Sequence, residues 1–213
     1  RLNLGLRKYL NYDNYFLVGI KASNLEYVYK TRESGFENLV ERGINFATNL
    51  IGFQYKWFPF STRKIISVVR ELKPDIISLH NIHGGYFKTS LIKELSKYAP
   101  IVWTLHDMWA FTANAAYTLG DDSWKSLKAG PKEKKYFPQI GINTGSWLLK
   151  SKKQIYENSN LTIVCPSKWL YALAKQSPVF SNNPIYSIAN GIDLELFKPH
   201  HKEKARNELN IPV

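Results

Sequence analysis

Apolar and polar residues fall into repeating blocks along the middle of the chain. Ile65, Ile66, Val69 and Leu72 lie on one face of a predicted helix, with Ser61 or Thr62 as its N-cap and Pro74 as its stop. The run DIISL at 75–79 then reads as a short strand. Phe87, Leu91, Ile92 and Leu95 recur at helical spacing over about 86–97, and IVWTL at 101–105, after Pro100, reads as the next strand. The unit returns as a lysine-bearing helix around 145–158, a strand at 161–165, a helix around 167–176 and a strand at 185–188. Apolar strands without strict alternation, separated by helices, indicate a parallel sheet covered on both faces. The predicted class is α/β, doubly wound.

The two ends differ from this middle. Leu2, Leu6 and Leu10 stand four apart in residues 1–10, which read as the latter part of an amphipathic helix, and YFLVGI at 15–20 reads as a strand. A helix is an awkward opening for a doubly wound domain, so a first strand and its loop are expected upstream of Arg1. Beyond the strand at 185–188, Asn190-Gly-Ile-Asp193 and Phe197-Lys-Pro199 are turn-rich, and 200–209 reads as a polar helix stopped by Pro212. One domain over 1–189 is expected, with 190–213 a linker into the start of another. The stretch 121–138, rich in Lys, Gly and Pro, reads as a long loop.

Composition narrows the classes. A single cysteine, Cys165, makes no internal disulfide, which excludes disulfide-framework folds and multi-cysteine zinc sites, and it reads as an inert buried thiol. No run approaches the roughly 20 apolar residues of a membrane span, and residues 1–30 lack a signal-peptide pattern. A cytoplasmic protein, soluble or peripheral, is expected. The formal charge of +12, from 29 Lys+Arg against 17 Asp+Glu, points to phosphates, acidic lipid surfaces or nucleic acid as partners. The lysines at 125, 128, 132, 134, 135, 150, 152 and 153 read as solvated faces and as the best candidates for an anionic contact. The only methionine is Met108, so the natural start is expected upstream.

In parallel α/β sheets, ligands bind beyond the carboxyl ends of the strands, where loops converge. Polar clusters fall at four such ends: His80-Asn81-Ile-His83-Gly84-Gly85, His106-Asp107, Pro166-Ser167 and Asn190-Gly191. One shared cleft is the natural reading. His80, His83, His106 and Asp107 are each metal-compatible, which makes a metal-dependent hydrolase one alternative. Recognition of a sugar and its phosphates is the other, with His and Asn bonding hydroxyls and the two glycines admitting a close backbone. Each residue also has a plain structural reading: His80 ending a strand, Gly84-Gly85 making a turn, Asp107 capping a short helix, and Trp103, Trp109 and Phe111 packing a core. A basic nucleic-acid-binding α/β module would explain the charge, yet the aromatics are not interleaved with the lysines in a stacking pattern.

The stretches LHNIHGGY at 79–86, VWTLHDMWAFT at 102–112, LTIVCPSKWL at 161–170 and IANGIDLELFKP at 188–199 resemble, in order and spacing, the N-terminal half of glycosyltransferase family 4 enzymes, most of all the colanic-acid, capsule and exopolysaccharide branch. The resemblance covers about 61–210. It implies a GT-B architecture of two Rossmann-like domains, with a nucleotide-sugar donor held mainly by the C-terminal one and a glycan or lipid-linked acceptor mainly by the N-terminal one. It also implies transfer with retention, no cofactor and no essential metal. By the same resemblance His106 is the catalytic residue near the donor sugar, and His80, Asn81, His83, Gly84, Gly85, Asp107, Ser167 and Asn190 are substrate-binding. Asn190 opens the linker to a C-terminal domain expected beyond Val213. An anionic membrane surface is a further expected partner, at the inner face of the cell membrane, and nucleic acid is not. Where relatives carry Gly-His-Cys after Ala-Phe-Thr, this chain has Ala113-Asn-Ala115.

Overall fold

The computed structural model describes residues 2–199 and 201–211, without the side chains of 2–4 and 8. The Leu2 side chain, His200 and the Pro212 stop of the predicted terminal helices lie outside the described residues. Helix α1 (Leu2–Leu10) leads to strand β1 (Phe16–Val18), which pairs in parallel with β2 (Val28–Lys30). Helices α2 (Gly35–Leu50) and α3 (Pro59–Leu72) precede β3 (Ile77–His80). Then α4 (Leu91–Leu95), β4 (Ile101–Thr104), α5 (Gly145–Glu157), β5 (Leu161–Cys165), α6 (Lys168–Ala174) and β6 (Ile185–Ser187) alternate, before α7 (Lys202–Glu208).

The strands β3-β4-β5-β6 form a four-stranded sheet in chain order, every neighbour parallel. The parallel α/β class is as the pattern predicted. The described strands divide, however, into a sheet of two and a sheet of four. The loops after β1 and β3 meet, because the Arg32 guanidinium donates to the Gly19 carbonyl at 3.4 Å and to the Gly85 carbonyl at 3.2 Å.

Several segments differ from what the pattern predicts. Helix α3 begins at Pro59, whose fixed φ suits a first turn, with Phe58 as its N-cap. Ser61 is instead buried inside that turn, where its N–H and hydroxyl donate to the Glu41 carboxylate at 2.8 and 2.5 Å. The predicted helix over 86–97 shrinks to α4, since the Leu91 and Ile92 N–H groups donate i−3 turn bonds to the Lys88 and Thr89 carbonyls. Its apolar positions Phe87, Leu91, Ile92 and Leu95 are nevertheless all buried. Helix α2 and strand β2 were not predicted. The stretch 121–138 is pinned by two 3-10 turns, Ser123–Ser126 and Glu133–Lys135, and by a fully buried Trp124 edge-on to Phe111 at 5.1 Å.

Trp109, Trp124, Tyr156, Phe58, Phe111 and Phe180 are the largest fully buried side chains. Each removes enough apolar area for about 4 kcal/mol of transfer free energy. Trp103 meets Tyr156 edge-on at 5.7 Å, joining β4 to α5. The aromatics of the β4 region are thus core, and they form the rigid base beneath the polar loops.

Candidate functional site

The register places the first pair of site residues. His80 ends β3 opposite Thr104 of β4. His106 lies two residues past Thr104, with the intervening Leu105 N–H still bonded to Val164 in strand fashion. Side chains two apart on a strand share a face, so His80 and His106 project from the same side of the carboxyl edge. Their rings meet with His80 Nδ1 and His106 Nε2 3.0 Å apart, and His80 Nε2 lies 3.3 Å from the Ser78 hydroxyl. Burial, and then the neighbouring His106, hold the His80 imidazole below its ordinary value of 6.5. The two rings share one hydrogen bond, whose direction depends on the tautomer. The same tautomer decides whether His106 Nδ1, which makes no other hydrogen bond among the described residues, offers a proton or a lone pair.

A second pair stands beside it. The loop after β3 turns through Asn81 at φ 35° and Gly85 at φ 74°, left-handed conformations that Asn and Gly tolerate. His83 is thereby brought to Asp107, with Nε2 to Oδ2 at 3.1 Å, and it stacks on the Trp109 ring at 5.1 Å. The other Asp107 oxygen accepts from the Trp109 N–H at 2.9 Å, so Asp107 caps a turn, not a helix. Gly84 is tight against the Tyr86 ring, which a Cβ there would meet at 2.9 Å. That space serves Tyr86, so the closeness of Gly84 is explained within the chain.

Below these pairs lies an anchor that the sequence reading missed. Lys152, read there as part of a solvated face, is 3% exposed. Its ammonium donates to the carbonyls of Trp109, Thr112 and Ala113 at 2.6, 3.1 and 3.2 Å, and it sits 3.8 Å from the Trp109 ring centroid. Burial draws this ammonium down to about 7, while the charges of Glu133 and Asp107 oppose the shift. Glu133, also buried, accepts from the Ala113 N–H at 2.8 Å, and burial raises its carboxyl. Asn114 donates to the carbonyls of Glu133, Tyr136 and Pro138, so the Ala113-Asn-Ala115 sequence ties 121–138 to the site. On the other side, Trp109 Nε1 donates to Gln54 at 2.7 Å, and Gln54 donates to the Pro138 carbonyl at 3.0 Å.

The remaining candidates stand further out. Ser167 caps α6, its hydroxyl accepting from the Leu170 N–H at 3.1 Å. Asn190 is exposed in irregular chain. Cys165 is fully buried, with its thiol pushed up to about 11 by burial, as an inert thiol should be.

His83, Asp107, His106 and Asn81 rim a cleft of about 10 Å³ floored by Trp103 and Trp109, room for about one water. The residues thus make an open wall, not an enclosing chamber. His80, His83, His106 and Asp107 form two separate pairs, and among the described residues no three His, Cys, Asp or Glu converge to hold a metal ion. No described helix is long and apolar enough to cross a membrane.

Residues 27–196 match the profile of Glycosyltransferase Family 4. The chain is also 23% identical over 141 residues to WcaC of Escherichia coli (strain K12), whose name gives it, provisionally, as a colanic acid biosynthesis glycosyl transferase. That match covers 60% of the chain and 34% of WcaC, so the chain spans about a third of the length of the curated relative it matches. No solved structure gives a significant match.

Proposed function

The chain belongs to Glycosyltransferase Family 4, and we propose that it is the N-terminal, acceptor-side domain of a retaining transferase that moves a sugar from a nucleotide-sugar donor to a glycan or lipid-linked acceptor. The observation that carries this reading is the wall itself. Two side-chain pairs at the carboxyl edge, the imidazoles His80–His106 and the imidazole–carboxylate His83–Asp107, line one cleft with Trp103 and Trp109. Such groups bond sugar hydroxyls from one side and leave the other side for a donor.

Glycosyl transfer needs a leaving phosphate stabilised by positive charge, an oxocarbenium-like transition state shielded from water, and an acceptor hydroxyl on the face that the phosphate leaves. In this proposal His106 bonds the donor sugar through its outward nitrogen, His80 sets its tautomer, and the His83–Asp107 pair with Asn81 orients the acceptor. Gly84, Gly85, Ser167 and Asn190 shape the loops around it. No cofactor enters, since the nucleotide sugar is a substrate. A C-terminal domain following the linker at 190–213 supplies most of the donor site.

The colanic acid name of WcaC supports a place in polysaccharide biosynthesis, and in this proposal that place is bacterial surface polysaccharide assembly at the cytoplasmic face of the membrane. The test is transfer by the full-length enzyme. His106→Ala should lower kcat about 100-fold while nucleotide affinity stays within about threefold, and the chain 1–213 alone should show no turnover. Wild-type rates in the variant would remove His106 from the reaction, and turnover by the chain alone would overturn the division of labour.

A further inference from the structure

Helix α2 turns an apolar stripe outward. Phe36, Leu39, Phe46 and Leu50 are 70, 69, 66 and 52% exposed, and with Gly43 they stand at steps of three, four, three and four residues. That spacing keeps all five on one narrow stripe, the a/d seam of a helix that packs against another helix, narrower than the face a helix lays on a core. The side of α2 that meets the rest of the chain is the opposite one, where Glu41 is buried against Ser61. Past the C-terminal end of the helix the apolar surface continues to Phe53, edge-on to the exposed Trp147 at 5.2 Å.

We propose that α2 pairs antiparallel with α2 of a second copy of the chain, Phe46 of each seated on Gly43 of the other. The stripe is complementary to itself. Gly43 leaves a notch, with no neighbouring group within 4 Å of where a Cβ would stand among the described residues, and Phe46, three residues on, is a ring that projects. Laying Phe46 over Gly43 in both directions also brings Leu39 against Leu50 and Phe36 against the Phe53 and Trp147 rings, so one twofold axis gives every apolar residue of the stripe a partner. Weighted by exposure, the six large side chains present about 700 Å² on each copy, near the roughly 800 Å² that each partner gives to a standard specific interface. Charge agrees. Arg42 is the only charged residue among the exposed positions of α2, in a chain of formal charge +12, so the stripe has the uncharged centre of a protein interface and lacks the cations that an acidic partner would need. In this register Arg42 comes opposite Ala47 of the other copy and not opposite its own image.

The experiment is sedimentation velocity on the full-length enzyme, which should run as a dimer that dissociates on dilution. Leu39→Asp and Phe46→Asp, both at exposed positions, should each raise the dimer dissociation constant at least about tenfold, with circular dichroism confirming the fold. Gly43→Leu separates this seam from other occupants. It adds apolar surface where there is room for it, so a bilayer or an indiscriminate apolar contact would hold the variant more tightly; here it fills the notch that Phe46 needs and should weaken the dimer about tenfold. Register is read with single cysteines, since Cys165 is fully buried. Leu39→Cys equilibrated with Leu50→Cys should crosslink on oxidation, and neither should crosslink alone, because the same residue in the two copies lies about 16 Å apart along the helix axis. A monomeric full-length enzyme, its seam covered by the C-terminal domain, would overturn the pairing. So would an unchanged dimer in either Asp variant, association of Gly43→Leu as tight as the wild type or tighter, or crosslinking of either cysteine variant with itself. Association needs no turnover, so a monomer leaves the transferase reading standing, and a failed His106→Ala test leaves the pairing standing.

Discussion

His80 carries a pH signature. Its folded-state proton affinity is lowered by burial and by His106, so the folded chain resists a proton that the unfolded chain accepts. Above the ordinary value of 6.5 both states are neutral and nothing changes; as the pH falls below it and toward the lower folded value, stability is lost. Urea unfolding from pH 7.5 down to about 5 should show this decline, and His80→Gln should flatten it relative to the wild type. Identical slopes would place His80's proton affinity at its unfolded value. Lys152 is the other residue with a sharp expectation. Lys152→Met removes the donor from three buried carbonyls and leaves Glu133 without its cation, which should cost about 3 kcal/mol in denaturant unfolding. A loss under about 1 kcal/mol would show that the loop holds without it. His80, His83, His106 and Asp107 were legible in the sequence because each stands just past an apolar strand. Lys152 and Gln54 were not, since their partners lie 43 and 55 residues away at Trp109 and no local pattern encodes that contact.

Helix α2 is the element where local reading had the most to gain. Ser34 accepts from the Glu37 N–H at 3.2 Å, and the Glu37 carboxylate reaches back to the Glu33 N–H at 2.7 Å, a near capping box written as Ser-Glu spacing in the sequence. Its apolar residues Phe36, Leu39, Phe46 and Leu50 are exposed, while its buried residue is Glu41. A search for an apolar core face therefore finds the inverse of the usual pattern. Ser34→Ala should lower stability by about 1 kcal/mol, read as a shift in the urea midpoint with an unchanged slope. Glu41 explains why Ser61 misled as a cap for α3: a serine near a helix start serves as well to satisfy a carboxylate from another helix. In the same way the apolar spacing over 86–97 was right about burial and too long for the helix, which spans only Leu91–Leu95, because turns as well as helices can turn the same side chains inward.

At the scale of the whole molecule, apolar runs separated by helical periods determined the parallel α/β class, and the polar residues following those runs determined which edge of the sheet carries the candidate site. Both are local properties: a strand buried on two faces must be apolar along its length, and loops after parallel strands must emerge at one edge. The family was legible for the same reason, since its motifs sit on those strand ends. Tertiary structure alone decided that the strands split into sheets of two and four, and that His80, His83, His106 and Asp107 form two pairs instead of one metal-compatible set. It also turned one lysine of an apparently solvated run into a buried anchor. Those outcomes depend on distances between residues remote in sequence, set by packing Trp109, Tyr156 and their neighbours into one core. Charge and periodicity constrain what a segment does; only the packed chain determines what it touches.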